Sequence, residues 1–207
     1  MKRAILTGFE PFGDYKYNPV QDTTKEYNGK KLEDIEIIGL VLPCTYYGAF
    51  EVLSNKINEF SPEIILSSGL ASRVERIKLE SVGKNIMGSK YADAEGRKPN
   101  NEPLIERERA WYSTTSDNTF LARLLNEKKI SAEVSKDAES FICNSLIYLT
   151  ARRIFKEYLP IKFTFFHTPW TDDYLDKVNI EQGKTTIKKC DLKKTIEILI
   201  KAMGKSI

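Results

Sequence analysis

Apolar and polar positions along this chain follow two periods, and the two take turns from end to end. Short apolar runs at residues 3–7, 35–42, 63–68, 76–83, 130–135 and 160–167 have the length and composition of strands. Between them, apolar residues recur at helical spacing over 19–27, 45–60, 117–128, 141–158 and 191–203. Thr45 is placed to start the second of these helices and Asp117 to cap the third. Strands alternating with helices predict an α/β fold, a mostly parallel sheet covered by helices on both faces in a three-layer sandwich. No repeat, low-complexity tract or linker interrupts residues 1–207, so a single domain is expected.

One stretch breaks the alternation. Residues 85–111 are polar, contain Gly and Pro, and are long for a simple connection, so they form either a functional loop or an excursion from the core. In open α/β sheets the site lies beyond the carboxyl ends of the strands. The first strand delivers Gly8-Phe9-Glu10-Pro11-Phe12-Gly13 to that edge, and the 160–167 strand delivers His167. Cys143 joins them if its helix starts at the same edge, as a helix following a strand does.

Cys143 and the single histidine, His167, are the residues with the most chemistry to offer. A thiol is a useful nucleophile only as thiolate, and a neighbouring imidazole is the usual base that makes it so. On residue type alone, both are equally at home in a core, since free cysteine is commonly buried and a histidine can end an apolar strand. Context adds to the chemical reading. Ser140 is a candidate N-cap for a helix carrying Ile142, Leu146 and Leu149, which puts Cys143 in its first turn. There the unpaired N–H groups and the helix dipole favour a thiolate and could hold an oxyanion. Alternation in the 76–83 strand puts Glu80 on the face of Arg76 and Lys78, where a surface ion pair is the simpler reading.

Composition narrows the field. The net charge of +3 arises from 32 basic and 29 acidic residues interspersed along 207, with no basic arm for nucleic acid. The N-terminus lacks the apolar core of a signal peptide, and the uncharged stretch 37–50 is too short to span a bilayer. Three cysteines, Cys44, Cys143 and Cys190, have no metal-ligand spacing. The expectation is a reduced, cytoplasmic protein with no metal, no membrane and no nucleic-acid partner. The glycine-bounded turn at 8–13 has the look of a phosphate loop, but Asp14 and Tyr15 follow where Lys and Ser/Thr are needed. What it presents instead is two phenylalanines.

Taken together, Gly8-Phe9-Glu10-Pro11-Phe12-Gly13, Asn18-Pro19, Leu42-Pro43, Gly69-Leu70-Ala71, Glu80 with Asn85, and Asp93 with Gly96 and Pro99 resemble the pyroglutamyl peptidase I family. Phe141-Ile142-Cys143-Asn144 and Phe166-His167-Thr168-Pro169 complete the pattern, which runs to about residue 170. The resemblance implies a cytoplasmic cysteine exopeptidase of α/β fold without cofactor. Its substrates would be N-terminally pyroglutamylated peptides and its assembly a homotetramer or homodimer. By the same likeness Cys143 is the nucleophile that forms a thioester acyl-enzyme, His167 the general base and acid, and Glu80 the residue orienting the imidazole. Phe9, Phe12, Phe141 and Ile142 match positions lining a ring pocket, with Thr45 near it. Lys90 stands in the active-site loop, where the family has Arg, and is a candidate oxyanion contact. Other departures are Ser81 for Arg, Leu70 for Gln, and Gly83 for Ala, the last expected to be benign. Two further readings stay open: an amidase using the same residues on another small acyl group, and a weakly active or silent binding homologue.

Overall fold

The computed structural model describes residues 1–178 and 185–205. In chain order the elements are β1 (Lys2–Phe9), α1 (Pro19–Tyr27), β2 (Lys31–Leu32), β3 (Ile35–Leu42), α2 (Gly48–Phe60), β4 (Ile64–Leu70), β5 (Ile77–Glu80) and β6 (Val82–Lys84). They continue with β7 (Trp111–Ser113), α3 (Asn118–Glu127), β8 (Ala132–Ser135), α4 (Ile142–Lys156), β9 (Lys162–Thr168), β10 (Trp170–Thr171), β11 (Thr186–Ile187) and α5 (Lys189–Lys205).

Seven strands form the main sheet in the order β2-β3-β1-β4-β9-β5-β8. β3, β1, β4 and β9 are mutually parallel, and β5 runs antiparallel to β9. Side chains alternate across the sheet, as the strand period requires. Ile5, Ile65, Phe163 and Phe165 face a core shared with α2 and α4, while Ala4, Leu6, Ile64, Leu66 and Phe166 face a core shared with α1, α3 and α5. The α/β sandwich read from periodicity is therefore the observed architecture.

Helix starts follow side-chain chemistry closely. Asn18 accepts from the Val20 N–H at 3.2 Å and Pro19 follows it, so α1 begins with a capped, φ-fixed turn. Asp117 accepts from the Phe120 N–H at 3.0 Å, the cap expected of it. The start of α2 differs from expectation: it begins at Gly48 rather than Thr45. The Tyr46 N–H donates to Asp93 at 3.2 Å and the Cys44 carbonyl accepts from Ala94, so the 85–111 excursion captures the backbone that would have made the first turn.

The single strand expected at 76–83 is two. β5 stays in the main sheet; after Ser81 the chain turns off as β6, pairs with β7, and packs on α4. A Cβ at Gly83 would lie 2.3 Å from the Tyr148 N and 2.5 Å from its Cα. Glycine is therefore what this packing accommodates: the strand and helix backbones are in direct contact, with no room for a Cβ. Gly83→Ala should cost about 1–3 kcal/mol through overpacking. At roughly 2–4 °C per kcal/mol for a chain of this size, a thermal melt should fall by several degrees. An unchanged midpoint would mean the helix can withdraw without cost.

Candidate active site

Glu80, Cys143 and His167 come together on the α4 side of the sheet. Glu80 and Phe165 are cross-strand neighbours, and His167 lies two residues further along β9 on the same face. That diagonal is within reach of a long side chain. The His167 Nδ1 and the Glu80 Oε1 are 2.8 Å apart. Glu80 is only 1% exposed and pairs with no lysine among the described residues; Lys78 instead contacts Glu133 at 3.6 Å. The surface-pair reading of Glu80 is excluded by that burial.

The Cys143 sulfur and the same imidazole both abut the bare backbone of Gly69. With Nδ1 turned to Glu80, Nε2 is the nitrogen left for the thiol. Burial by itself would push His167 toward the neutral form. The Cys143 sulfur, through charge and hydrogen bond, and then the Glu80 carboxylate outweigh it, so the ring's pKa is raised well above its ordinary 6.5.

Gly69 on β4 completes the arrangement. A Cβ there would fall 2.9 Å from the Cys143 sulfur, 2.9 Å from Phe165 Cζ and 3.2 Å from His167 Cδ2. Thiol and imidazole thus both rest against a bare backbone. Sequence reading quoted Gly69 within a motif and gave it no role.

The loop before α4 presents the thiol. Cys143 is the second residue of α4, whose cap position is Phe141, with no capping side chain. Its first-turn N–H groups have no intrahelical acceptor. Ser140 is not the cap. Its hydroxyl donates to the Gly88 carbonyl at 2.5 Å, and its own carbonyl accepts from the Gly88 N–H at 2.9 Å. Asn144, fully buried, clamps the next stretch: it accepts from Lys84 N at 2.8 Å and donates to the Lys84 and Ile86 carbonyls at 2.9 Å. Asn118 does the same for Glu80, donating to its carbonyl at 3.1 Å while accepting from Thr164 at 2.7 Å. Neither asparagine was singled out for this from sequence; a polar residue on a buried helix position was the available signal.

Phe9 and Ile142 are buried in the α4-side core, with Phe12, Phe141 and Cys143 packed against it half-buried. The Phe141 ring meets Tyr46 edge-on at 5.6 Å. Thr45 is buried, its hydroxyl against Gly48 and with no hydrogen-bond partner among the described residues. Lys90 is not drawn into this group: it is exposed, and its ammonium lies over the Tyr91 ring at 5.0 Å. Leu70 is buried beside Trp170 and Tyr174, and Ser81 accepts from Asn118 at 3.3 Å.

Residues 2–203 match the family described as pyroglutamyl peptidase. The Bacillus cereus pyrrolidone-carboxylate peptidase is 32% identical over 200 residues, covering 97% of this chain and 92% of that protein. The Pyrococcus furiosus pyrrolidone-carboxylate peptidase is 31% identical over 177 residues, covering 85% of each. Among solved structures, a P. furiosus pyrrolidone carboxyl peptidase variant superposes with a TM-score of 0.93 at 27% identity over 99% of both chains. The Thermococcus litoralis pyrrolidone carboxyl peptidase gives 0.92 at 28% identity, covering 99% of this chain and 94% of the other.

Two outcomes follow from the geometry. Gly69→Ala must displace the thiol or the imidazole, and a misplacement of this kind should lower turnover about a hundredfold with the fold retained; an unimpaired variant would show that the contact does not position the pair. His167 is also a clean spectroscopic probe, being the only histidine. A raised pKa means the folded protein holds the imidazolium more tightly than the unfolded chain. Its stabilising contribution is therefore complete below about 6.5 and lost as pH rises through the raised value. Imidazole NMR signals should stay in the charged form at pH 7.5, and Cys143→Ala or Glu80→Gln should each bring the titration down toward the ordinary range. A ring already neutral at pH 7.5 in the unaltered protein would contradict this.

Proposed function

This chain belongs to the pyroglutamyl peptidase family, and on that footing we propose that it removes pyroglutamate from peptide N-termini by covalent catalysis on Cys143. The observation that carries the reading is the buried contact of His167 with Glu80 at 2.8 Å, with the Cys143 sulfur and the same ring side by side against Gly69. The thiolate attacks the pyroglutamyl carbonyl carbon, and the resulting oxyanion is met by the N–H groups at the start of α4. His167 gives its Nε2 proton to the departing amine nitrogen, the C–N bond breaks, and a thioester remains. Water then attacks the thioester while His167 takes its proton, releasing pyroglutamate and the thiolate. Glu80 holds the ring by Nδ1 throughout, which fixes Nε2 as the working nitrogen.

Phe9, Phe12, Phe141 and Ile142 form the slot for the lactam ring in this proposal, with Thr45 beside it. A compact, uncharged ring is selected by shape and a few polar contacts. With Leu70 buried and Lys90 turned outward, shape carries more of the selection here. From family likeness we expect a cytoplasmic homotetramer or homodimer, which light scattering would check. No helix among the described residues is long and apolar enough to cross a membrane.

The other cysteines support the choice of Cys143. Cys44 is buried and donates to the Glu10 carbonyl at 3.3 Å; burial first, then the nearby Cys143 and Glu10, push its thiol up to about 12. Cys190 is exposed, 3.8 Å from Asp191. Pyroglutamyl and alanyl aminomethylcoumarin should be assayed side by side. Only the first should be hydrolysed, Cys143→Ser should lose several orders of magnitude, and Cys44→Ser and Cys190→Ser should retain activity. Hydrolysis of the alanyl compound alone would favour an amidase of other specificity, and near-normal turnover by Cys143→Ser would end the covalent mechanism.

A further inference from the structure

Phe165 is fully buried in the α4-side core, and the reaction as set out gives it no part. Its ring nevertheless lies against both reacting groups. The tip of the ring, Cζ, and the Cys143 sulfur are each 2.9 Å from the point where a Gly69 Cβ would stand, and His167 Cδ2 is 3.2 Å from it. The Phe165 and His167 rings meet edge-on, with centroids 5.0 Å apart and planes at 66°, the arrangement that aromatic pairs prefer. Phenyl, thiol and imidazole thus converge on one bare stretch of backbone.

Register shows how the ring gets there and what it stands between. Phe165 is opposite Ser67 on β4 and opposite Glu80 on β5, so its row across the sheet runs Thr7, Ser67, Phe165, Glu80. From that row the ring leans onward to Gly69, which is the register partner of His167. Only a residue without a side chain leaves that space open. The rest of the row is polar and short of partners. Thr7 Oγ1, Ser67 Oγ and Glu80 Oε2 are buried with no hydrogen-bond partner among the described residues. Buried oxygens in that state carry a desolvation cost that any donor or water within reach would relieve. The phenyl ring, placed in the row between the two hydroxyls and Glu80, offers none and leaves the carboxylate to His167.

Resting on the reaction set out above, we propose that Phe165 is a positioning residue for it. Wedged over Gly69, its ring fixes the place and tilt at which the imidazole meets the thiol. The same ring keeps the Glu80–His167 pair apart from the hydroxyls of its row. Phe165 binds no part of the lactam, so its effect falls on attack by the thiolate and not on recognition of the substrate.

Three measurements separate this role from packing alone. On pyroglutamyl aminomethylcoumarin, Phe165→Leu should lower kcat/KM about thirtyfold or more, while the inhibition constant of free pyroglutamate, which needs only the slot, stays within about twofold. Alkylation of Cys143 by iodoacetamide at about pH 6.5, in a Cys44→Ser, Cys190→Ser background, should slow about tenfold as the thiolate loses its imidazolium. Gly69→Ala presses on thiol and phenyl alike, and leucine at 165 frees one of those contacts. The double variant should therefore be no slower than Gly69→Ala alone, whereas independent effects would multiply. If leucine leaves the core too loose to fold, Phe165→Tyr keeps it filled. Its hydroxyl, carried on the atom nearest Gly69, should slow kcat/KM and alkylation as leucine does. Rates within about threefold of the unaltered protein in both assays would overturn the proposal, as would multiplying losses in the double variant. A pyroglutamate constant that weakens in step with kcat/KM would assign Phe165 to the slot instead. If the unaltered protein cleaves no pyroglutamyl compound, the peptidase reading fails, and the alkylation rates alone then decide whether the ring positions the pair.

Discussion

A carboxylate held away from water beneath an imidazole is the constraint on which this structure turns. Taking a charge such as Glu80 out of solvent is costly unless a partner and hydrogen bonds compensate. His167 supplies the partner at 2.8 Å, and it can do so because β5, with β8 beyond it, runs against the parallel strands β3, β1, β4 and β9. Were β5 parallel to β9, its last residue would reach the carboxyl edge of the sheet with the other strand ends. Running the other way, it stops level with Phe165 and sends its carboxylate diagonally to the ring. The asparagine beneath it then fixes the Glu80 main chain, so the orientation of the imidazole is set by backbone rather than by a mobile side chain.

The thiol is fixed by a different route. Helix α4 is held from the side, by the Asn144 clamp and the bare contact at Gly83, and from its end, by Ser140 paired with Gly88. Each of these partners belongs to residues 83–88, at or near the start of the 85–111 excursion. That segment is therefore a brace, and the open question of its purpose has a mechanical answer. Asn85 exchanges hydrogen bonds with Ile105, and Met87 with Glu102, folding it back on itself. Asp93 gathers the N–H groups of Glu95 and Arg97 and also that of Tyr46. One loop thereby ties the Cys143 turn to the Thr45 region.

Much of this was legible from residue order because local chemistry and tertiary environment agree. The bounds of α1 and β3 match the periodicity, since Asn18-Pro19 cap one and a run of buried and half-buried apolar residues makes the other. Expectation and structure part where a distant segment outbids a local signal. Ser140 donates its hydroxyl to the Gly88 carbonyl instead of accepting from the N–H groups of its own helix, and Thr45 loses its helical turn to Asp93. Glu80 is the sharpest case. Alternation rightly places it on the face of Lys78, but period alone does not say that a strand end lies under another element. The motif likeness named its partner; the periodic pattern pointed to solvent.

The three cysteines show why residue type was never sufficient. Cys44 and Cys143 lie close enough for the charge of one to raise the pKa of the other, yet they are prepared for opposite behaviour. Cys44 is enclosed, spends its S–H on a carbonyl and is held as a thiol. Cys143, half-buried, opens a helix and faces an imidazole whose protonated form is favoured by its surroundings. A negative charge at Cys143 makes a second one at Cys44 costlier still, so burial and the neighbouring sulfur act in the same direction on Cys44. The difference between two thiols on one core thus lies in their surroundings: enclosure and a carbonyl at Cys44, and at Cys143 an imidazole held by Glu80.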